Sequence, residues 1–236
     1  MRKINQLKHI GILAITAPGA SLTYRKLVKS AFQNSKINGH PNITLHSINY
    51  AQYSAAKGKN NMGVTWKALL KETITQLENA GAELIICPSN TPHKFYNDIN
   101  EEIKVEWLHI VESAKRAIIK KNYKKPLLLG TKETMISNTF EPFFENDPIT
   151  LIKPDTHEIE LINNIISNEL IKDNVTNEST EFFKTLIKKY QETENIDSVI
   201  LGCTELPIII DENTTDLPLV DTTQTLADYA LDNALK

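Results

Sequence analysis

Cysteine and glycine are scarce in this sequence, at 2 and 8 in 236 residues, and each shortage excludes something. Two cysteines cannot make a disulfide framework, and both stand where an apolar run meets polar residues, which is the setting of reduced thiols. No Gly-x-Gly-x-x-Gly occurs and no lysine is marked for a Schiff base, so neither a nicotinamide nor a pyridoxal cofactor is indicated. His93 and His109 belong to no His/Cys/Asp spacing that would make a ligand set, so no metal is expected. A run of 18 apolar residues is missing as well, and nothing is expected to span a membrane. Neither sign of charge dominates, with 26 basic and 29 acidic residues and a net charge of -3. That balance argues against nucleic acid as a partner. Met1-Arg2-Lys3 ahead of Ile10–Ala17 imitates a weak secretion signal. Its apolar core is short, however, and Leu22-Thr-Tyr-Arg-Lys-Leu continues directly as a helix, so a cytoplasmic protein is expected.

What the sequence does have is apolar runs alternating with helical patterns. His9–Ile15, Ile43–Ile48, Ala82–Ile86, Val105–His109, Pro126–Thr131, Ile149–Lys153, Ser198–Gly202 and Leu217–Val220 read as strands. Helices are expected at Leu22–Gln33, Thr65–Ala80, Val111–Lys121, Thr134–Phe144, Glu158–Asn168, Ser179–Glu192 and Asp221–Leu235. In the second of these, Trp66, Leu69, Leu70, Thr73, Leu77 and Ala80 form one apolar stripe closed by Gly81. The Asn- and Lys-rich stretch Gly58–Gly63 reads as a mobile loop able to act as a lid. This is an α/β chain with parallel sheets, which hold ligands at the carboxyl edges of their strands.

Two strand ends carry the chemistry. Ala-Glu-Leu-Ile-Ile-Cys-Pro-Ser-Asn-Thr-Pro-His-Lys, from Ala82 to Lys94, passes abruptly from apolar to small polar residues. Ser198–Pro207, Ser-Val-Ile-Leu-Gly-Cys-Thr-Glu-Leu-Pro, does the same. Together they resemble the aspartate/glutamate racemase superfamily, with its Cys-Asn-Thr and Gly-Cys-Thr-Glu motifs. Gly202, Cys203, Thr204 and Glu205 match the second motif; Asn90, Thr91 and His93 match the first, where Ser89 replaces the usual cysteine. Cys87 sits two residues early and is no obvious substitute. Gly130-Thr-Lys-Glu-Thr-Met135 resembles a further segment of the family, and Ala14-Ile15-Thr16 replaces its opening Gly-Gly-Met.

The resemblance implies two pseudo-symmetric lobes, each a mainly parallel four-stranded sheet flanked by helices, with the active site in the cleft between them. The expected lobes are residues 1–110, completed by 216–236, and 111–215. It also implies a homodimer that interconverts L- and D-amino acids without cofactor. Inverting a stereocentre needs a base and an acid on opposite sides of one carbon. Cys203 is the expected thiolate base, and Ser89 stands opposite. A hydroxyl is a poor base, so Ser89 needs support, for which Glu205 and His93 are the candidates. Asn90, Thr91, Thr131, Thr204, Gln52 and Thr16 are expected to hold the substrate, a small-molecule amino acid. In members acting on aspartate or glutamate a basic residue precedes a helix of the second lobe; here Leu161 falls at that place, which weakens the case for an acidic substrate. Two alternatives stand beside this reading: another isomerase of the fold, maleate-isomerase-like or hydantoin-racemase-like, and a non-catalytic module binding a small carboxylate.

Overall fold

The first apolar run forms strand β1 (Ile10–Ala14), buried along its whole length as a parallel strand covered on both faces must be. The computed structural model of the protein describes residues 7–37, 39–57, 62–172 and 174–235. Helix α1 (Ala17–Gln33) begins five residues before the expected Leu22, because Pro18 falls in the first turn, where its missing N–H costs nothing. After β2 (Ile43–Ser47), the Asn49 side-chain oxygen accepts the N–H groups of Ala51 and Gln52 and starts an unanticipated helix, α2 (Tyr50–Lys57). Residues 58–61 of the expected lid lie outside the described residues; Met62 and Gly63 begin α3 (Met62–Asn79). Gly81, at a positive φ of 92°, ends that helix and turns the chain into β3 (Leu84–Ile86). A 3-10 turn (Thr91–Phe95), α4 (Tyr96–Asn100) and β4 (Glu106–Leu108) follow. The strands pair in parallel in the order β2-β1-β3-β4. Trp66, Leu70, Ile74 and Leu77 of α3 fill the core beneath them with Leu13, Ile85 and Trp107. Ala80, expected on the same stripe, is exposed at the helix end.

The second half runs α5 (Ile110–Lys121), β5 (Pro126–Gly130), α6 (Lys132–Ile136), α7 (Thr156–Asn168), α8 (Asn177–Glu194), β6 (Ser198–Gly202), β7 (Leu219–Asp221) and α9 (Thr222–Ala234). Its sheet is again parallel, in the order β5-β6-β7. It has three strands where four were expected. Ile152 makes only an isolated bridge to Leu127, and Pro154, lacking an N–H, cannot extend the ladder. Asp155 and Glu158 close a capping box on α7, and the Tyr190 hydroxyl donates to Glu158 at 2.7 Å while accepting the Asp155 N–H at 2.9 Å.

The chain divides into two compact units, residues 1–110 with 223–236, and residues 111–222. The expected boundary before 216 shifts because β7 is hydrogen-bonded to β6 and completes the second sheet. Only α9 returns to the first unit, where Gln224 Nε2 donates to Ser30 Oγ at 2.9 Å and the Ala234 carbonyl accepts the Lys8 N–H at 3.0 Å. Among the described residues no helix is long and apolar enough to cross a membrane.

At the carboxyl edge of the second sheet, Gly130 and Gly202 face each other in register. A Cβ on Gly202 would stand 2.8 Å from the Leu129 carbonyl oxygen and 3.1 Å from Leu128 Cδ1. A backbone oxygen cannot swing aside, so the strand ends would have to separate. Gly202→Ala is therefore expected to cost about 1–3 kcal/mol of stability. Urea unfolding measures it, and an unchanged midpoint would refute the close-approach argument.

Candidate active site residues

Cys203 leaves β6 immediately after the Gly130–Gly202 pair, and Thr131 leaves β5 at the same level, so both stand on one sheet edge. The Cys203 thiol donates to Glu205 Oε2 at 3.0 Å, and the Thr204 hydroxyl donates to the same oxygen at 2.7 Å. Glu205 and Thr204 are buried, while Cys203 is half-buried. Burial raises the Cys203 thiol well above its ordinary value, and the charge of Glu205 and the hydrogen bond to it raise it further. At neutral pH this is a thiol with a carboxylate already on its proton. Thr131 caps α6, its Oγ1 accepting the Thr134 N–H at 3.3 Å.

In the first unit, β3 is followed at once by Cys87, which is wholly buried in the apolar core. Burial pushes its thiol up to about 12, which removes it as a base. Its Sγ donates to the Ser89 carbonyl at 3.7 Å. Ser89 is half-buried, and among the described residues no hydrogen bond holds its hydroxyl. Asn90 is buried at the entry to the 3-10 turn, and Thr91, the first residue of that turn, is half-buried. Thr16 ends the loop after β1 as the N-cap of α1; its Oγ1 is buried, makes no hydrogen bond among the described residues and does not cap the helix.

The geometry bears on four of the expected residues. Glu205, expected to support the serine, has its Oε2 engaged by Cys203 and Thr204. Thr204 has given its one proton to Glu205, so it can accept from an ammonium but cannot donate to a substrate carboxylate. Gln52 is exposed on α2 rather than ending a strand. Leu161 lies inside α7 and not in the loop before it; that loop holds Lys153, ion-paired with Glu141, its ammonium lowered by burial. Sequence reasoning passed over Lys153 because it was assigned to a strand.

His93 is buried, its Nε2 bonded to the Cys87 carbonyl at 3.0 Å, and its ring lies 4.6 Å from that of His109. Burial lowers His93 to about 4; burial and then the neighbouring His93 charge lower His109 further. Both rings are neutral in the fold and protonate in the unfolded chain below about pH 6.5. The sign is then fixed. Stability is unaffected by the pair above that pH and falls as pH drops from about 6.5 toward 4, by up to about 1.4 kcal/mol per unit for each ring. Urea unfolding at pH 7 and pH 5 tests this, with His93→Gln/His109→Gln flattening the slope; equal wild-type stabilities would refute it.

Both halves are parallel α/β units, and the second ends in a thiol bonded to a carboxylate. The relatives that share this α/β plan make the protein an isomerase of the racemase kind, a class that works without pyridoxal phosphate. The sequence model of the Asp/Glu/Hydantoin racemase family matches residues 12–230, and the chain belongs to that family. It is 28% identical over 162 residues to the broad specificity amino-acid racemase RacX of Bacillus subtilis, covering 68% of each chain. With a glutamate racemase of Hydrogenobaculum it shares 24% over 171 residues, 70% of this chain and 63% of that one. Among solved structures, an aspartate racemase homologue from Pyrococcus horikoshii superposes with a TM-score of 0.84 at 31% identity, covering 98% of this chain and all of that one.

Proposed function

We propose that this protein is an amino-acid racemase in which Cys203 removes and returns the α-proton on one side of the substrate and Ser89 acts on the other. The observation that carries the reading is the 3.0 Å bond from Cys203 to Glu205. Passing the thiol proton to Glu205 creates the thiolate that removes the α-proton. The carbanion is then protonated on its opposite face through the Ser89 hydroxyl, which refills from water. A thiol–carboxylate pair can run its half in either direction. A lone hydroxyl is a ready relay for a proton going out and a poor base for one coming in, so the two enantiomers are consumed at unequal rates.

Asn90, Thr91, Thr16 and Thr131 supply polar groups for the amino acid's carboxylate and amino groups, and Thr204 can accept from the ammonium. Support for aspartate or glutamate comes from Lys153, in the loop where family members acting on these substrates keep a basic residue. Glu141 already neutralises that lysine. Relatives named as broad-specificity and as glutamate racemases bracket the range. The test is therefore a panel of acidic, aliphatic and basic amino acids, each enantiomer incubated in deuterated buffer and followed at the α-carbon. Exchange on at least one is expected, faster from one enantiomer, and Ser89→Cys should speed the slower direction about tenfold or more. Saturable binding without exchange would instead assign a non-catalytic carboxylate-binding module.

A further inference from the structure

Among the described residues nothing bonds the Ser89 hydroxyl, so its direction is set by the backbone that carries it. That backbone is anchored at three carbonyls. The Cys87 carbonyl accepts His93 Nε2 at 3.0 Å, the Ser89 carbonyl accepts the Cys87 thiol at 3.7 Å, and the Asn90 carbonyl accepts the His93 N–H at 3.1 Å. Between them Pro88 has its φ fixed by its ring. The His93 ring is itself wedged, with ring centroids 4.6 Å from His109, 5.1 Å from Trp107 and 6.5 Å from Tyr96. We infer that Cys87 and His93 are positioning residues: a buried clamp that fixes the peptide planes around Ser89 and so aims its hydroxyl at the reacting carbon.

This deepens the racemase reading and rests on it for its catalytic consequence. Both donors suit a permanent clamp. A carbonyl can only accept, so Nε2 carries the His93 proton, and a thiol held neutral by burial remains a donor across the working pH range. The clamp touches only the serine side. Loosening it should therefore slow one of the two proton transfers, whereas general destabilisation would scale both alike.

The experiment measures α-hydrogen exchange from each enantiomer of the panel amino acid that the wild type turns over fastest, in wild type, His93→Asn, His93→Gln and Cys87→Ala. An Asn amide does not reach the Cys87 carbonyl; a Gln amide places its nitrogen near the position of Nε2. His93→Asn and Cys87→Ala should slow the serine-facing direction about ten- to a hundredfold more than the other, since a displacement near 1 Å has that scale of effect. His93→Gln should restore the ratio. Proportional loss of both rates, or Gln no better than Asn, overturns the clamp. Hydrogen exchange of the residue 93 amide, which is bonded to the Asn90 carbonyl, reads it without turnover: faster in His93→Asn and Cys87→Ala, restored in His93→Gln. Unchanged protection would overturn it too, whereas a wild type that clamps the loop yet exchanges no substrate would fail the racemase reading alone.

Discussion

Replacing Cys203 with alanine is expected to lower α-hydrogen exchange from both enantiomers by about a thousandfold or more. In the proposed mechanism the thiol serves one direction as base and the other as acid, so its loss removes one proton transfer from each passage. The fold should survive, because the residue is half-buried at a strand end and shortening it to alanine removes one sulfur and one hydrogen bond. Circular dichroism and urea unfolding will establish that the variant is intact. Exchange at the wild-type rate in a folded Cys203→Ala protein would remove this cysteine from the chemistry, and the racemase reading with it.

The second large effect is expected at Glu205, and there two observables move in opposite senses. Burial alone raises the Cys203 thiol, and the carboxylate adds to it by charge and by accepting its hydrogen bond. Glu205→Gln deletes the charge, so the thiol should ionise at lower pH, as ultraviolet thiolate absorbance will report. If Glu205 were only a brake on ionisation, activity near neutrality would rise. If it takes the proton, activity falls despite the more acidic thiol, by about a hundredfold. The second outcome is expected. A faster Glu205→Gln enzyme would leave Cys203 in place but deprive it of its partner.

Much of this arrangement could be read in the residues. Ser198–Gly202 is a mostly apolar run ending at Cys-Thr-Glu, and the strand and its buried position follow from that run, whereas the chemistry expected at its end came from the resemblance to the racemase motif. What failed did so locally. Ala-Pro-Gly-Ala-Ser contains the residues of a turn, yet proline is welcome in a helix's first turn, and α1 swallowed the segment. Tyr50–Lys57 lacked an expected start because the capping group, Asn49, closed what looked like a strand end. Ile149–Lys153 had a strand's composition, but Pro154 limits it to one bridge. The pairings of Glu205 with Cys203 and of His93 with the Cys87 carbonyl depend on side-chain directions, which spacing along a chain does not determine. Cys87 illustrates the difference: its distance from the motif excluded it as a base, but only its bond to the Ser89 carbonyl gave it a place.

The return of α9 to the first unit has a consequence for how the protein is made. A ribosome delivers residues 111–222 as one continuous piece, which can settle into its final form while translation proceeds. Residues 1–110 emerge earlier yet stay unfinished until α9, which holds the Lys8 N–H and the Ser30 hydroxyl, follows the second unit out. The first unit is thus completed only after the second has emerged, and truncation beyond residue 222 should leave the first exposed to chaperones and proteases while sparing the second.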